Sequence, residues 1–519
     1  MMRCFSIALC VALGLLQSNA AARPNVVLFL VDDMGWRDVG CFGSSFYDTP
    51  NIDRLAKEGV KFTNAYAACH VCSPTRASIL TGKYPGRLGL TDWLSGRRDF
   101  AFQRLQSAEK LQALPLEEVT LAEALKAKGY RTGIFGKWHL GNDEAGPLKQ
   151  GFDVQVPQWN GCCPKGGYHP PYRMEGLTIE GRDDEYLTDR LTSMALDFMG
   201  QGNDRPFFLY LSHFSVHDPI QGRRDLVDKY RAKLAKLPPP KGPPFILEGN
   251  PDDESPLSRQ QLTELLGKAS HRGHKVLPQR TIKIKQRQDN VEFAAMVESV
   301  DESLGRVLQK LEELGQADNT IVLFYSDNGG MSAGNFGNPA RVVSQNQLDR
   351  AYATSNLPLR GAKGWLYEGG IRVPMIVKWP GKGRAGVVCE EPVISPDFYP
   401  SILEMTGLPE TPAQHKDGKS FVPALQGRAF ERGPVYWHFP HYSNHGMQSP
   451  AGVIRDGDYK LLEYFENGTV QLFNLKTDLG EQHDLAAAQP ERAAKLLAKL
   501  HDWQKVVSAK MPRPKKNEP

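Results

Sequence analysis

The chain has 519 residues, of which 40% are hydrophobic and 24% charged, and its formal net charge is only +4. Such a small net charge gives no basis for a nucleic-acid-binding protein, because those proteins concentrate positive charge to meet phosphates. The length exceeds what a single hydrophobic core fills, so we expect one large domain with a smaller companion.

The first 20 residues predict an export signal. Arg3 supplies a positive start, the apolar run 5–16 is too short to span a bilayer, and the small residues at 18–20 offer a cleavage site. An uncleaved anchor or a buried first strand is the alternative. No later segment of the sequence is apolar over about 20 residues. We therefore expect an exported protein, periplasmic or extracellular, with no membrane contact after the signal is removed.

Five short runs rich in β-branched and aromatic residues predict buried strands, at 26–31, 130–135, 207–211, 321–325 and 373–377. The runs are continuous rather than alternating, as in parallel strands that are covered on both faces. Helical patterns lie between them: one follows Thr49 as N-cap and ends at Gly59, and an apolar stripe from Leu304 to Leu314 ends at Gly315. This alternation predicts an α/β fold with a large, mainly parallel sheet sandwiched by helices.

Two stretches differ from this pattern. Residues 231–290 are rich in Pro, Lys and Gln with little periodicity, which predicts a surface insertion near the entrance of the site. From about residue 433 the pattern indicates short antiparallel strands, with a hairpin at Asn467-Gly468 and a final helix after Pro490. The predicted organisation is a signal peptide at 1–20, a catalytic α/β domain at 21–432 and a C-terminal antiparallel-sheet and helix subdomain at 433–519.

Six cysteines follow the signal, too few to hold a chain of this length together as a disulfide scaffold. Cys162 and Cys163 are adjacent in the sequence, and both are candidates for bridges to distant partners. The pairing cannot be deduced from the sequence.

Polar residues of the kind that bind ligands follow four of the five predicted strands, and ligands of open α/β sheets bind beyond the carboxyl ends of the strands. Asp32 and Asp33 end the first run, and Asp327 and Asn328 follow the fourth. Adjacent carboxylates repel each other unless a cation lies between them, and hard cations take oxygen ligands. The four side chains therefore predict a cation site, with an N-cap carboxylate and an Asx turn as the alternatives.

Cys72 lies at the start of a predicted helix, because Pro74 suits a first turn. Backbone N–H groups and the dipole at a helix N-terminus favour negative charge, so this position suits an anionic nucleophile or an anionic substrate. Arg76, one turn later, returns over the same position. A buried cysteine before an ordinary helix is the alternative.

The string Cys72-Ser73-Pro74-Thr75-Arg76, which continues to Gly82, resembles the signature of the type I sulfatases. In that family the pattern Cys-x-Pro-x-Arg directs oxidation of the cysteine to Cα-formylglycine. The resemblance covers nearly the whole chain after residue 25, and further family motifs match in family order at 31–35, 136–141, 213–219, 325–330 and 360–374.

The resemblance implies an alkaline-phosphatase-like sulfatase fold and a sulfuric ester hydrolase. It implies one Ca²⁺ per chain, although the sequence leaves Mg²⁺ open. The implied metal ligands are Asp32, Asp33, Asp327, Asn328 and residue 72. The implied catalytic residues are Cys72, Arg76, Lys137, His139, His217 and Lys363.

Two of these assignments have alternatives, and one position of the family is unassigned. His213 competes with His217 for the same role, and Lys363 is alternatively a solvated loop charge. The family has a polar group after its Gly-Phe-Asp, which stands here at 151–153. Asn160 is the candidate for that position.

The chain resembles bacterial carbohydrate sulfatases related to arylsulfatase A and N-acetylgalactosamine-6-sulfatase, which implies a sulfated carbohydrate substrate, with galactose or N-acetylgalactosamine favoured. His438, His441 and His445 are candidates to reach the sugar, with structural roles as the alternative. A formylglycine-generating enzyme is the expected maturation partner. The competing functions are a phosphoester or phosphonate hydrolase of the same superfamily and an inactive secreted sulfoglycan-binding protein.

Overall fold

A computed structural model describes residues 23–99, 103–177, 185–202, 205–242, 245–249, 281–331, 353–445 and 448–515, together with residues 261 and 264. The export signal predicted at 1–20 and most of the stretch 250–280 lie outside the described residues.

The chain alternates helices and strands along most of its length. The helices are α1 Pro50–Glu58, α2 Cys72–Thr81, α3 Pro85–Leu88, α4 Leu121–Lys126, α5 Leu187–Gly200, α6 Arg224–Ala235, α7 Val291–Glu313, α8 Glu368–Ile371, α9 Phe398–Met405, α10 Val422–Leu425 and α11 Pro490–Val506. The strands are β1 Asn25–Val31, β2 Val60–Phe62, β3 Ala65–Tyr66, β4 Leu105–Gln106, β5 Arg131–Gly136, β6 Val154–Val156, β7 Phe207–Ser212, β8 Phe245–Gly249, β9 Thr281–Lys285, β10 Thr320–Ser326, β11 Met375–Lys378, β12 Val387–Cys389, β13 Val393–Ile394, β14 Val435–Phe439, β15 Ala451–Asp456, β16 Tyr459–Tyr464, β17 Val470–Asn474 and β18 Arg513–Pro514.

An eight-stranded sheet in the order β12-β2-β11-β10-β1-β7-β5-β6 forms the centre of the fold. The strands β10, β1, β7, β5 and β6 run parallel, which confirms the predicted mainly parallel sheet and includes four of the five predicted runs. The parallel direction inferred for the fifth run is wrong, because β11 is antiparallel to both β10 and β2. Its apolar run carries no signal of direction, since a strand covered on both faces is apolar in either orientation.

Helices cover both faces of this sheet. One buried cluster packs beneath α1, α5, α6 and α7, and a second packs beneath α2, α4, α9 and α10. The helix predicted after Thr49 is α1, although the Thr49 side chain accepts the backbone N–H of Gly40 instead of capping the helix. The stripe predicted from Leu304 is the buried face of the C-terminal half of α7. Within the described residues, no helix is both long enough and apolar enough to cross a membrane.

Parts of the described residues in the stretch 231–290 form regular structure. The helix α6 continues to Ala235, and the strands β8 and β9 pair in an antiparallel sheet of their own.

A second, four-stranded sheet near the C-terminus has the order β14-β15-β16-β17 and is antiparallel throughout. The strands β16 and β17 flank the predicted turn, where Gly468 has a φ of +72°. This is the left-handed conformation that glycine adopts without steric cost. The helix α11 packs Leu496 and Leu500 on one face of the sheet, and the other face packs against the segment around α8. A boundary between catalytic domain and subdomain at residue 432 stays a prediction.

A buried ion triad joins α8 to this sheet. Lys460 Nζ lies 2.9 Å from Glu368 Oε1 and 2.8 Å from Glu481 Oε1, and none of the three side chains is exposed. Glu481 Oε2 also accepts the backbone N–H of Glu368 at 2.7 Å. The triad therefore fixes the segment just after Lys363 against the four-stranded sheet.

Lys460→Ala should lower the free energy of unfolding by about 3–5 kcal/mol, because it leaves two buried carboxylates without their shared cation. The control is Lys505→Ala, which removes a 3.0 Å pair with Asp502 whose side chains are both more than 70% exposed. This control should change the free energy of unfolding by less than about 1 kcal/mol. Denaturant unfolding followed by circular dichroism measures both, and equal losses would contradict a stabilising role for the triad.

Candidate active site

Four oxygen-bearing side chains converge where β1 and β10 end. The two strands are parallel, with Val31 opposite Ser326, so the residues that follow them meet at one edge of the sheet. Asp32, Asp33, Asp327 and Asn328 are all fully buried. Successive side chains of an extended strand point to opposite faces, but Asp33 has a φ of +63°, and this bend breaks the alternation.

The hydrogen bonds inside this acidic cluster leave some of its oxygens unused. Asn328 Nδ2 donates to Asp33 Oδ1 at 2.7 Å, and the Asp33 N–H donates to Asp327 Oδ1 at 3.2 Å. Asp32 Oδ1 and Asn328 Oδ1 have no hydrogen-bond partner among the described residues. Buried polar atoms rarely lack partners, because desolvation without a hydrogen bond costs free energy. Two such oxygens in a set of carboxylates and an amide fit a hard divalent cation.

Cys72 adjoins this cluster as the first residue of α2. Its Sγ and carboxylate oxygens of Asp32 and Asp327 lie within 4.8 Å of one another. The N-cap residue, Val71, provides no side-chain cap for the first backbone N–H groups of the helix. Burial raises the pKa of the Cys72 thiol despite the opposing effects of Lys137 and Lys363. The unmodified side chain is therefore a neutral thiol at the positive end of a helix.

Each carboxylate of the cluster has a buried cationic partner. Lys137 Nζ lies 2.5 Å from Asp32 Oδ2, and Lys363 Nζ lies 2.7 Å from Asp33 Oδ2. The third pair is Arg76 Nε donating to Asp327 Oδ2 at 2.8 Å. Lys363 is only 1% exposed, so the alternative that it is a solvated loop charge is wrong. The six charges balance, so a divalent cation would give the site a net positive charge that suits an anionic ester.

Ser212 holds Arg76 in place and was not singled out by the sequence analysis. Arg76 Nη1 donates to Ser212 Oγ at 2.6 Å and to the carbonyl of Lys137 at 3.0 Å. The sequence offers one signal for Ser212. It is the last residue of β7, and ligands bind at the ends of parallel strands.

His217 lies on the Asp33 side of the cluster. Its Nε2 is 3.6 Å from Asp33 Oδ2, and its Nδ1 hydrogen-bonds the backbone carbonyl of Asp218 at 2.8 Å, with Asp218 Oδ1 at the same distance. Burial and Lys363 lower the pKa of His217, but Asp33, Asp218 and Asp32 outweigh them and raise it above its ordinary value. Asp218 is a further residue of the site, and its place directly after His217 is the one signal for it in the sequence.

His213, the alternative to His217, lies elsewhere in the fold. Its Nε2 hydrogen-bonds Ser303 Oγ at 2.8 Å on α7, and its ring packs edge-on against Phe29. The structure therefore gives His213 contacts of a structural residue in the core.

His139 lies at the end of the segment that follows β5. Its Nε2 contacts the carbonyl oxygen of Leu94 at 2.5 Å, and its Nδ1 has no partner among the described residues. A carbonyl can only accept, so Nε2 carries the hydrogen, and Nδ1 of the neutral ring is the basic nitrogen. Burial, with Lys137 adding to it, lowers the pKa of His139 well below the ordinary value, so the ring stays neutral.

The loop after β6 contains a disulfide between the neighbours Cys162 and Cys163. The pairing left open by the sequence is thus between the two neighbours, and neither cysteine bridges to a distant partner. The loop reaches the site, since Cys163 Sγ, His217 and Asp218 offer atoms within 4.8 Å of one another. Asn160 of the same loop donates to Asp143 and accepts from Gln155, and no described contact links it to the acidic cluster.

Comparison with known proteins relates the chain to sulfatases. A family model described as Sulfatase matches residues 24–408, and one described as N-sulphoglucosamine sulphohydrolase, C-terminal, matches residues 362–509. Human N-acetylgalactosamine-6-sulfatase is 32% identical over 447 residues, covering 82% of this chain and 70% of the relative. A protein named Sulfatase from Formosa agariphila is 29% identical and covers 94% of this chain and 90% of its own length.

Solved structures share the fold. The structure of Ps i-CgsB in complex with k-i-k-neocarrahexaose is 26% identical, with a TM-score of 0.67 and 93% of each chain covered. A protein solved with its substrate D-glucosamine-2-N,6-O-disulfate has the same fold at 22% identity, with a TM-score of 0.66 over 94% of this chain and 98% of that one. Since the Sulfatase model covers well over half of the residues, the chain belongs to the sulfatase family and is a sulfuric ester hydrolase.

Proposed function

We propose that the chain hydrolyses sulfate esters of a sugar, galactose or N-acetylgalactosamine, with Cα-formylglycine at position 72 and one Ca²⁺ in the acidic cluster. The observation that carries the proposal is the placement of Cys72 Sγ within 4.8 Å of carboxylate oxygens of Asp32 and Asp327. The relatives named for sulfated-sugar substrates support the substrate class. A phosphoester hydrolase is less favoured, because the position for a hydroxyl nucleophile holds a cysteine in the sulfatase signature.

Two groups would complete the site. The residues that would hold Ca²⁺ are Asp32, Asp33, Asp327 and Asn328, with residue 72, and the ion would supply positive charge beside the sulfate and the attacking oxygen. Formylglycine, as its hydrate, would supply one hydroxyl that attacks sulfur and a second whose deprotonation lets sulfate leave. A thiol lacks that second hydroxyl, so the side chain of an unmodified Cys72 offers no such route for releasing sulfate.

The buried cations bind and orient the ester. Arg76, Lys137 and Lys363 are held by carboxylates of the cluster, so they meet the sulfate without reorganising. Fixed positive groups in a dry site stabilise the charge that develops on sulfate oxygens during transfer. Their burial excludes the water that would otherwise screen this charge.

The two histidines move protons. The backbone carbonyl of Asp218 accepts the Nδ1–H of His217, with the Asp218 carboxylate at the same distance, which leaves Nε2–H on the opposite side of the ring to protonate the leaving alcohol. Lys363 shares the Asp33 carboxylate with His217 and assists it. His139 uses its unpartnered Nδ1 to accept the proton from residue 72 as sulfate leaves.

We further propose a location, a maturation partner and a domain boundary for the chain. The chain is exported to the periplasm or the cell exterior, and a formylglycine-generating enzyme acts on Cys72 during maturation. The catalytic domain ends near residue 432, and the four-stranded sheet with α11 forms a separate subdomain.

Coexpression with a formylglycine-generating enzyme should make the tryptic peptide that contains residue 72 lighter by about 18 Da, a change that peptide mass spectrometry detects. Cys72→Ala should lose this mass change and lower kcat for 4-nitrophenyl sulfate by at least about 1,000-fold, because the nucleophile is gone. The control Cys69→Ala alters a buried free cysteine three residues earlier and should keep both. Near-normal turnover by Cys72→Ala would refute the mechanism.

Calcium should raise the melting temperature of the chelated wild-type protein by about 2–3 °C, because an ion present at about 100 times Kd adds about 2.7 kcal/mol and the unfolding entropy of a chain this long is about 1.1 kcal/mol/K. Asn328→Ala should abolish most of this shift by removing one ligand. Asn160→Ala should retain it, since Asn160 contacts Asp143 and Gln155 instead. Thermal unfolding across a calcium titration measures all three, and an unchanged wild-type midpoint at saturating calcium contradicts the site.

Asp218→Asn should lower kcat/KM for an alkyl sulfate by about 10–100-fold, because it removes a negative charge that raises the pKa of His217 and so favours the protonated ring that donates to the leaving alcohol. The loss on 4-nitrophenyl sulfate should be smaller, since nitrophenolate leaves without a proton. The control is Asp225→Asn, seven residues after Asp218. It alters an exposed carboxylate that pairs with Arg223 and should leave both rates unchanged. Equal losses on the two esters would argue against His217 as the proton donor.

A further inference from the structure

The three histidines at 438, 441 and 445 have different surroundings. His438 Nε2 contacts the carbonyl oxygen of Lys510 at 3.0 Å, and its Nδ1 contacts Gln504 Nε2 at 3.4 Å. His441 Nε2 hydrogen-bonds Thr91 Oγ1 at 2.8 Å. Each of these two histidines therefore hydrogen-bonds another segment of the protein through its ring, and both link parts of the fold.

Among the residues that the structure describes, the ring of His445 has no such partner. It is 5% exposed, and neither ring nitrogen makes a hydrogen bond within the described part of the chain. An imidazole carries at least one N–H donor and, when neutral, one acceptor, and burying both without partners is costly. A ligand that enters the site would remove this cost.

The backbone places His445 against the active-site wall. A Cβ added to Gly364 would lie 2.3 Å from His445 Cβ, so His445 packs directly on the residue that follows Lys363. The charges of Lys363, His217 and Asp218 all act on its ring. These are the groups on the side where the proposed mechanism releases the alcohol.

Among the described residues, His70 also has two ring nitrogens without a hydrogen-bond partner, but its surroundings differ. It is fully buried, and its ring packs against Phe439 with 4.1 Å between centroids. The charges of His217 and Asp218 act on the ring of His445 and are not among the influences on His70, which makes His445 the better candidate for contact with a substrate.

We propose that His445 is a specificity-determining residue, which hydrogen-bonds a hydroxyl of the sugar that carries the scissile sulfate. The inference rests on the proposed function and deepens it. A neutral imidazole offers one donor and one acceptor, and a sugar hydroxyl also donates and accepts, so the two are complementary. Burial, Lys363 and His217 keep the pKa of His445 well below its ordinary value, which keeps the ring in this neutral form. A buried polar group discriminates strongly, because a substrate without the matching hydroxyl leaves it unpaired.

The test compares two esters of primary alcohols. One is the 6-sulfate of galactose or N-acetylgalactosamine, whichever the wild type hydrolyses faster, and the other is cyclohexylmethyl sulfate, which has no hydroxyl. His445→Ala should lower kcat/KM for the sugar by about 10–100-fold, the cost of leaving the sugar hydroxyl unpaired. It should leave the rate on cyclohexylmethyl sulfate within about twofold of wild type. His445→Gln, which retains a donor and an acceptor, should recover part of the loss.

Monodeoxy sugar sulfates supply a second test of the proposal, in which the wild type alone gives a result. The kcat/KM of the wild type should fall by a similar factor on one of the deoxy sugars. His445→Ala should hydrolyse that deoxy sugar and its parent with the same kcat/KM. His483→Ala is the control, because that histidine lies in the same C-terminal region with its side chain 82% exposed. It should behave as wild type on every ester.

Each remaining outcome overturns a specific claim. Equal losses on the sugar and on cyclohexylmethyl sulfate, or unchanged sugar kinetics in His445→Ala, overturn the assignment of His445 alone. If His445→Ala does not fold, full activity of the wild type on all deoxy sugars overturns it instead. Failure of the wild type to hydrolyse any sulfated sugar, with alkyl sulfate turnover intact, overturns the proposed substrate class and the assignment with it.

Discussion

Three buried carboxylates at the shared edge of two parallel strands are the constraint on which the rest of the site depends. Asp32, Asp33 and Asp327 are fully buried, so their negative charges must be compensated inside the protein. Arg76, Lys137 and Lys363 provide this compensation from three other segments of the chain. The cluster therefore draws these segments together and keeps cationic side chains in a place that water does not reach.

The same constraint explains how a site rich in negative charge can take an anionic ester. The carboxylates hold the lysines and the arginine rigidly, and a divalent cation on the unpartnered oxygens of Asp32 and Asn328 would turn the balance positive. The helix α2 adds its N-terminus, with residue 72 at the tip. Sulfate would then meet positive groups that are already in place, which is the arrangement that stabilises developing charge most effectively.

The C-terminal sheet takes part in the site as well as in the fold. The Lys460 triad anchors α8, which follows Lys363 closely in sequence, and His445 packs on Gly364 from the segment between β14 and β15. One side of the site is thus built by the sulfatase motifs, and another is built by a segment that is outside those motifs. This division suits an enzyme in which the chemistry is fixed and the choice of substrate is set separately.

The sequence predicts the parts of this arrangement that local patterns record. Apolar runs that end in Asp-Asp or Asp-Asn mark strand ends, and the Cys-x-Pro-x-Arg string marks the start of α2. Features that depend on pairing between distant segments leave no local trace. The antiparallel direction of β11 is of this kind, as are the different surroundings of His441 and His445. The Cys162–Cys163 bridge is local, but adjacency alone does not reveal that the pair closes on itself.

The most direct test of the account is a crystal structure of the mature protein grown in calcium. The account predicts an ion coordinated at about 2.3–2.6 Å by side-chain oxygens of Asp32, Asp33, Asp327 and Asn328, with residue 72 as an aldehyde or its hydrate beside it. Residue 72 directed away from the carboxylates, or no density for an ion between them at saturating calcium, would contradict it.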